Sequence, residues 1–219
     1  MICALTKVTS EAEEIKGFRI KLTEPFFSFK PGQYVMISFP ENPEEKRAFS
    51  IADYDKEKKE ILLVIKKNGI FAQKLFLAKI GQQFNVYGPY GRFTLPDEQK
   101  PLVFIAGGIG ITPLYCMLNH VHASDYGKKL YLYYTGKSKE KMALLKELEQ
   151  NEDERINIEF IFTAEGGKRI TSEDIRKNVP EFNESLFYIC GPSLMIENIT
   201  NDLIKMNISE ERIKSEEFT

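Results

Sequence analysis

The chain is short of the residues on which most metal-binding and nucleophilic chemistry relies. It has three cysteines and two histidines in 219 residues. Cys3, Cys116 and Cys190 stand far apart with no C-x-x-C pair, which excludes a cysteine zinc site or iron–sulfur cluster. Sparse, odd cysteines suit a reducing compartment better than a disulfide framework. His120 and His122 share one helical stretch and leave a histidine triad or metal centre without partners. A charge excess is missing too: 30 basic residues face 32 acidic ones, a net charge of −2, unlike the basic balance of a nucleic-acid binder. No apolar run approaches the ~20 residues that cross a bilayer. The N-terminus, "MICALTKVTSEAEEIKG", turns polar too early for a signal peptide, and no repeat of solenoid period is present. A cytoplasmic protein without a membrane span is therefore expected. Its 42% hydrophobic content is enough for a packed core.

What is present falls into two rhythms. From Met1 to about Tyr90, short alternating stretches are separated by turns: "KGFRIKLTE", "PGQYVMISFP", "KRAFSIAD", "KEILLVIKK" and "QQFNVYGPYG". Strands at this spacing predict a small antiparallel barrel, with "IFAQKLFLAKI" as its one helix. After "TLPDEQKP" come near-continuous apolar runs, "PLVFIAGG", "KKLYLYYTG", "INIEFIFTA" and "SLFYICGP". Such runs suit parallel strands covered on both faces. The helical stretches between them are "TPLYCMLNHVHA", "KEKMALLKELEQN", "TSEDIRKNV" and "PSLMIENITNDLIKM". The alternation predicts a doubly wound parallel sheet. Residues 1–97 are thus expected to form a six-stranded antiparallel barrel, and residues 98–219 a nucleotide-type α/β domain.

Two stretches carry chemistry. "VFIAGGIGITP", Val103 to Pro113, is a buried strand that breaks into glycines and predicts a helix start at Pro113. Gly108 and Gly110 can present bare backbone and a helix N-terminus to a pyrophosphate, unless the turn is merely structural. Thr112 can cap the helix or donate its hydroxyl to a ligand. This is not the G-x-G-x-x-G of ordinary dinucleotide folds, because Pro113 stands where the third glycine would be. Gly191 and Pro192, after Cys190, end another strand on the same sheet edge. In "RAFS", Arg47 and Phe49 alternate with Ala48 and Ser50. A guanidinium suits a diphosphate, and a ring can cover a flavin face. On local sequence alone, this could equally be a plain strand with one exposed arginine.

Taken in order, "RAFSIAD", "KKNGIFAQKL", "GPYGRFTL", "FIAGGIGITP", "YYTGKSKEKMALLKELE", "FYICGP" and a final "EEF" resemble the ferredoxin–NADP reductase family across nearly the whole chain. That family includes cytochrome b5 reductases, flavin reductases and oxygenase reductase components. The resemblance implies an FAD-binding barrel, an NAD(P)-binding α/β domain, and hydride transfer between nicotinamide and flavin N5. It implies that Arg47 neutralises the FAD diphosphate, Phe49 packs on the flavin ring and Ser50 bonds near N5. Ile65 to Asn68, Lys67 included, would contact the FAD, and Gly69 would open a helix toward its diphosphate. Gly108, Gly110, Thr112 and Pro113 would hold the nicotinamide nucleotide, with Cys190, Gly191 and Pro192 beside the nicotinamide. Ser50, Cys190 and Glu216 would be the catalytic set, and Phe218 the C-terminal aromatic near the flavin.

Two departures stand out. Phe49 replaces a usual tyrosine and Ala72 a usual serine or threonine, each removing an FAD contact, with Lys66 or Lys67 able to compensate. The resemblance implies no fused iron–sulfur domain, so the acceptor would be a separate ferredoxin-like protein, an oxygenase component or a small diffusible molecule. The alternatives are a reductase of free flavin or ferric chelates, and a non-catalytic nucleotide-binding module. A 2′-phosphate would be met near Lys137-Ser138-Lys139 and Thr163-Ala164-Glu165, with Lys168 and Arg169 beyond. Glu165 would repel it while Lys137, Lys168 and Arg169 could reach it. The balance favours NADH over NADPH.

Overall fold

The structure, a computed structural model, describes residues 1–23, 28–151, 153–164 and 169–218. Six strands, β1 (Ile2–Ala12), β2 (Ile15–Lys21), β3 (Tyr34–Ser38), β4 (Arg47–Asp55), β5 (Glu60–Lys66) and β6 (Gln83–Tyr90), close an antiparallel barrel in the order β1-β2-β5-β4-β3-β6. Closure leaves no edge to pair with another chain. Inward alternation buries Leu5, Phe18, Ile20, Val35, Ile37, Ile51, Ile61, Leu63, Phe84 and Val86 in one cluster. Helix α1 (Gly69–Phe76) plugs one side of the barrel by burying Phe71, Ala72 and Leu75, which share one helix face. It is shorter than the apolar pattern suggests, because Leu77, Ile80 and the turn at Gly81 leave the helix, the two apolar side chains exposed.

Five parallel strands follow: β7 (Leu102–Gly107), β8 (Leu130–Gly136), β9 (Ile156–Phe162), β10 (Leu186–Gly191) and β11 (Ile213–Glu217), ordered β11-β10-β7-β8-β9. Every residue of β7 and β10 is buried, as their unbroken apolar runs require. Helices α2 (Ile111–Ala123), α3 (Leu145–Gln150), α4 (Ser172–Asn178) and α5 (Ser193–Lys205) connect the strands. A capping box between Thr171 and Asp174 starts α4. The stretch "KEKMALLKELEQ" is not one helix: a 3-10 turn at Lys139–Lys141 and an extended Met142 precede α3. Met142, Ala143 and Leu144 are buried, so core packing there overrides helix propensity.

The barrel and the sheet share a core. Ile15, Ala52, Leu62 and Val64 from the barrel lie in the same buried cluster as Phe104, Leu114, Tyr115 and Leu132. α2 is the element between them, packed on the sheet and against β4, which is why its buried residues run around more than one face. Beside it, Arg19 on β2 and Asp53 on β4 pair at 2.8 Å.

Candidate functional site

The sheet reverses direction of strand addition between β7 and β10: β8 and β9 lie on one side of β7, β10 and β11 on the other. Ligands of open α/β sheets bind at such a switch point, beyond the carboxyl ends of the strands. Here Gly107–Gly110 and Cys190–Pro192 leave the sheet side by side. The fit is tight underneath, since a Cβ on Gly110 would stand 2.3 Å from the Cys190 carbonyl oxygen and 2.8 Å from the Gly191 nitrogen. It is open above: Gly108 sits at φ +55 with nothing among the described residues within 4 Å of a Cβ position. Bare backbone therefore lines the crevice where a side chain would fill it. A 3-10 turn over Gly108–Gly110 leads into α2 at Ile111, so Pro113 lies within the first helical turn rather than at its start. Thr112 neither caps the helix nor reaches outward. Its buried hydroxyl donates to the Ile109 carbonyl at 2.9 Å, which braces the turn.

Strand β11 aligns with β10 so that Glu216 is the register partner of Cys190 and Glu217 that of Gly191. The Phe218 N–H donates to the Gly191 carbonyl at 3.1 Å, and the Ser193 hydroxyl to the Glu217 carboxylate. Burial, and secondarily the facing Glu216, push the Cys190 thiol well above its ordinary range. Burial likewise raises the Glu216 carboxyl. Cys190 is thus a neutral wall residue rather than a thiolate nucleophile. Pro192 precedes α5, exposed, and Phe218 packs partly buried against the shared core.

On the barrel, Ser50 is buried on β4, and its Oγ has no hydrogen-bond partner among the described residues. A buried hydroxyl left without a partner costs free energy unless something else bonds it. Phe49 lies 6.0 Å from the Phe71 ring of α1. Arg47 is 55% exposed, donates to the Lys46 carbonyl and stands 3.8 Å from Glu45. Gly69 opens α1 with empty space above it. Lys67 is exposed at the mouth of a groove of about 780 Å³ between the β1–β2 turn and α1. Ile65 and Ala72 point into the barrel core, so only their backbone can face a ligand.

The two sets meet. Tyr34, register partner of Ser50, lines a cleft of about 330 Å³ with Gly91, Arg92 and Phe93 of the barrel and Lys214, Ser215 and Glu216 of β11. Adjacency therefore runs from Ser50 through Tyr34 and the cleft to Glu216, Cys190 and Gly110. Arg47, Gly69 and Ala72 stand apart from that line, grouped by the Phe49–Phe71 contact. Lys137, just after β8, and Arg169, three residues before α4, are exposed. Glu165 and Lys168 fall outside the described residues. Sequence reasoning missed Tyr34 and Lys214, whose only signal is strand register, and Arg92, which lies beyond β6 inside the quoted "GPYGRFTL" stretch.

Known proteins show the same division. The oxidoreductase FAD-binding domain model matches residues 2–95 and the oxidoreductase NAD-binding domain model residues 104–201. A probable dihydroorotate dehydrogenase B (NAD(+)) electron transfer subunit of Pyrococcus horikoshii is 31% identical over 211 residues, covering 94% of this chain and 74% of that protein. The chain belongs to the ferredoxin–NADP reductase family. A propane 2-monooxygenase reductase component of Mycolicibacterium goodii is 30% identical over 229 residues, covering 97% of this chain and 66% of that protein. Among solved structures, flavohemoglobin from Malassezia yamatoensis, with bound FAD and heme, has a TM-score of 0.88 at 20% identity. The match covers all of this chain and 60% of that one. A Plasmodium falciparum ferredoxin–NADP+ reductase with 2′P-AMP has a TM-score of 0.82 at 20% identity, covering 99% and 95%. These structures share the fold of a family that joins a flavin-binding barrel to a nicotinamide-nucleotide sheet. The orphaned Ser50 hydroxyl and the open backbone at Gly69 and Gly108 fit those two cofactors. No helix among the described residues is long and apolar enough to cross a membrane.

Proposed function

We propose that the protein passes a hydride from NAD(P)H to bound FAD and hands the electrons to a separate acceptor, a ferredoxin-like protein or an oxygenase component. The observation that carries this is the buried Ser50 hydroxyl, which has no partner among the described residues and whose register partner Tyr34 lines a cleft with Glu216. FAD, when bound, supplies the two-electron chemistry. Arg47 and the N-terminal backbone of α1, from Gly69 to Ala72, hold its diphosphate, with Lys67 adding charge. Phe49 covers the ring, and Ser50 donates or accepts at the reacting edge. Gly108, Gly110 and the turn braced by Thr112 and Pro113 hold the nucleotide's pyrophosphate. Cys190, Gly191 and Pro192 leave room for the nicotinamide. Glu216, its carboxyl pKa raised by burial, stands ready to hydrogen-bond there, and Phe218 shields the site. Three buried cysteine thiols suit the reducing cytoplasm.

A second reading has its own support. Phe49 lacks a hydroxyl and Ala72 is buried without one, which weakens the hold on FAD and favours reduction of free flavin or ferric chelates. Purified protein decides between them. Stoichiometric FAD with rapid reduction of ferredoxin or an oxygenase component supports the first reading. Loss of FAD on dilution, with saturable turnover of added FMN, supports the second.

A further inference from the structure

The turn between β1 and β2 leaves the barrel and touches the nucleotide half. Its Glu13 N–H donates to the Glu140 carbonyl at 2.8 Å, and its carboxylate stands 3.6 Å from Lys141 Nζ. Glu14 follows in the left-handed region at φ 57, and its carbonyl accepts from the Lys67 N–H at 2.8 Å. One short turn thus ties the loop before α1 to the loop after β8. That second loop, Lys137 to Lys141, leaves the carboxyl end of the strand next to β7, on the edge where a nucleotide lies.

Within the loop, carboxylates already engage the groups that would welcome a phosphate. The Ser138 hydroxyl bonds the Glu140 carboxylate and holds its pKa low, so it stays ionised at neutral pH. Lys141 is engaged by Glu13. Among the described residues of this loop and turn, Lys137, Lys139 and Lys141 stand with Glu13 and Glu140, one net positive charge, where a 2′-phosphate would bring ~−1.5 to −2. We propose that Glu13, reaching across from the barrel, and Glu140 are specificity-determining residues that disfavour a 2′-phosphate and make NADH the preferred nucleotide. The inference rests on placing the nucleotide's adenosine ribose by the loop after β8.

The test compares NADH with NADPH, and AMP with 2′P-AMP, on wild-type and Glu13→Gln/Glu140→Gln protein. Wild type is expected to show the higher kcat/KM with NADH. The double variant should raise the NADPH-to-NADH ratio about tenfold and tighten 2′P-AMP relative to AMP by a similar factor. The gain should shrink in high salt. Glu140→Gln alone, which leaves the β1–β2 turn intact, should give part of the rise, and Glu13→Asp/Glu140→Asp none. NADPH preference in wild type, or unchanged ratios in both variants carrying glutamine, overturns the inference while leaving hydride transfer intact. If neither nucleotide reduces the FAD-loaded protein, the proposed function falls and the inference with it.

Discussion

The barrel end and the sheet end of the crevice solve opposite problems. At the barrel, side chains are offered: Arg47 lies half exposed, Phe49 lies against α1, and the Ser50 hydroxyl is buried without a partner. At the sheet, side chains are withheld. Gly110 is pressed against the Cys190 carbonyl, Gly108 is bare, and Thr112 turns its hydroxyl inward. The lesson is that deletions should harm the first region and additions the second.

The largest effect tests the sheet. Gly110→Ala must displace backbone at Cys190, and a shift of about 1 Å in such a site costs ~10²-fold or more. Hydride transfer, followed as anaerobic flavin reduction in a stopped-flow instrument, should fall by that factor while FAD stays bound. At the barrel, Arg47→Ala deletes a charge-assisted contact worth roughly 1.5–3 kcal/mol. The FAD dissociation constant, read by fluorescence titration, should rise about 10- to 100-fold. Ser50→Ala removes one hydrogen bond, roughly 1 kcal/mol, so hydride transfer should slow by less than tenfold with FAD affinity little changed.

Glu216 sharpens the comparison, because its carboxyl comes from the sheet but serves the cleft. Burial raises its pKa in the folded protein. Its contribution to stability is therefore fully present below the ordinary carboxyl value of 4.5, and is lost as pH rises through the folded value. Glu216→Gln should gain stability over wild type as pH rises from that point, then level off; urea midpoints across the range measure it. On folding, the smallest effect is that of Gly108→Ala. Among the described residues nothing crowds that position, so the cost to stability is backbone strain at φ +55, roughly 1 kcal/mol, while the added methyl enters the space left for the pyrophosphate. A loss of folding stability as large as that of Gly110→Ala would break the comparison.

These contrasts also explain what could be read in the sequence. Near-continuous apolar runs announced β7 and β10, and alternation announced most of the barrel, because burial on one face or two leaves a periodic trace. β1 hid in "MICALTKVTSEA" and β11 in "IKSEE", whose polar residues tolerate a strand only because neighbours supply the ladder. The glycine turn and Arg47 to Ser50 were legible as motifs. Their meeting was not: Tyr34 joins Ser50, and Glu216 joins Cys190, only through register. The bridge from Glu13 to Glu140 is a backbone hydrogen bond between residues far apart in the chain, and leaves no pattern in composition or spacing.

The most direct test of the account is an anaerobic titration of the FAD-loaded protein with NADH, read as the flavin's visible absorbance. Bleaching by one equivalent of NADH per flavin is the predicted result, since it requires both ends of the crevice to hold their cofactors in contact. A protein that binds FAD and NADH yet keeps its oxidised spectrum would contradict it.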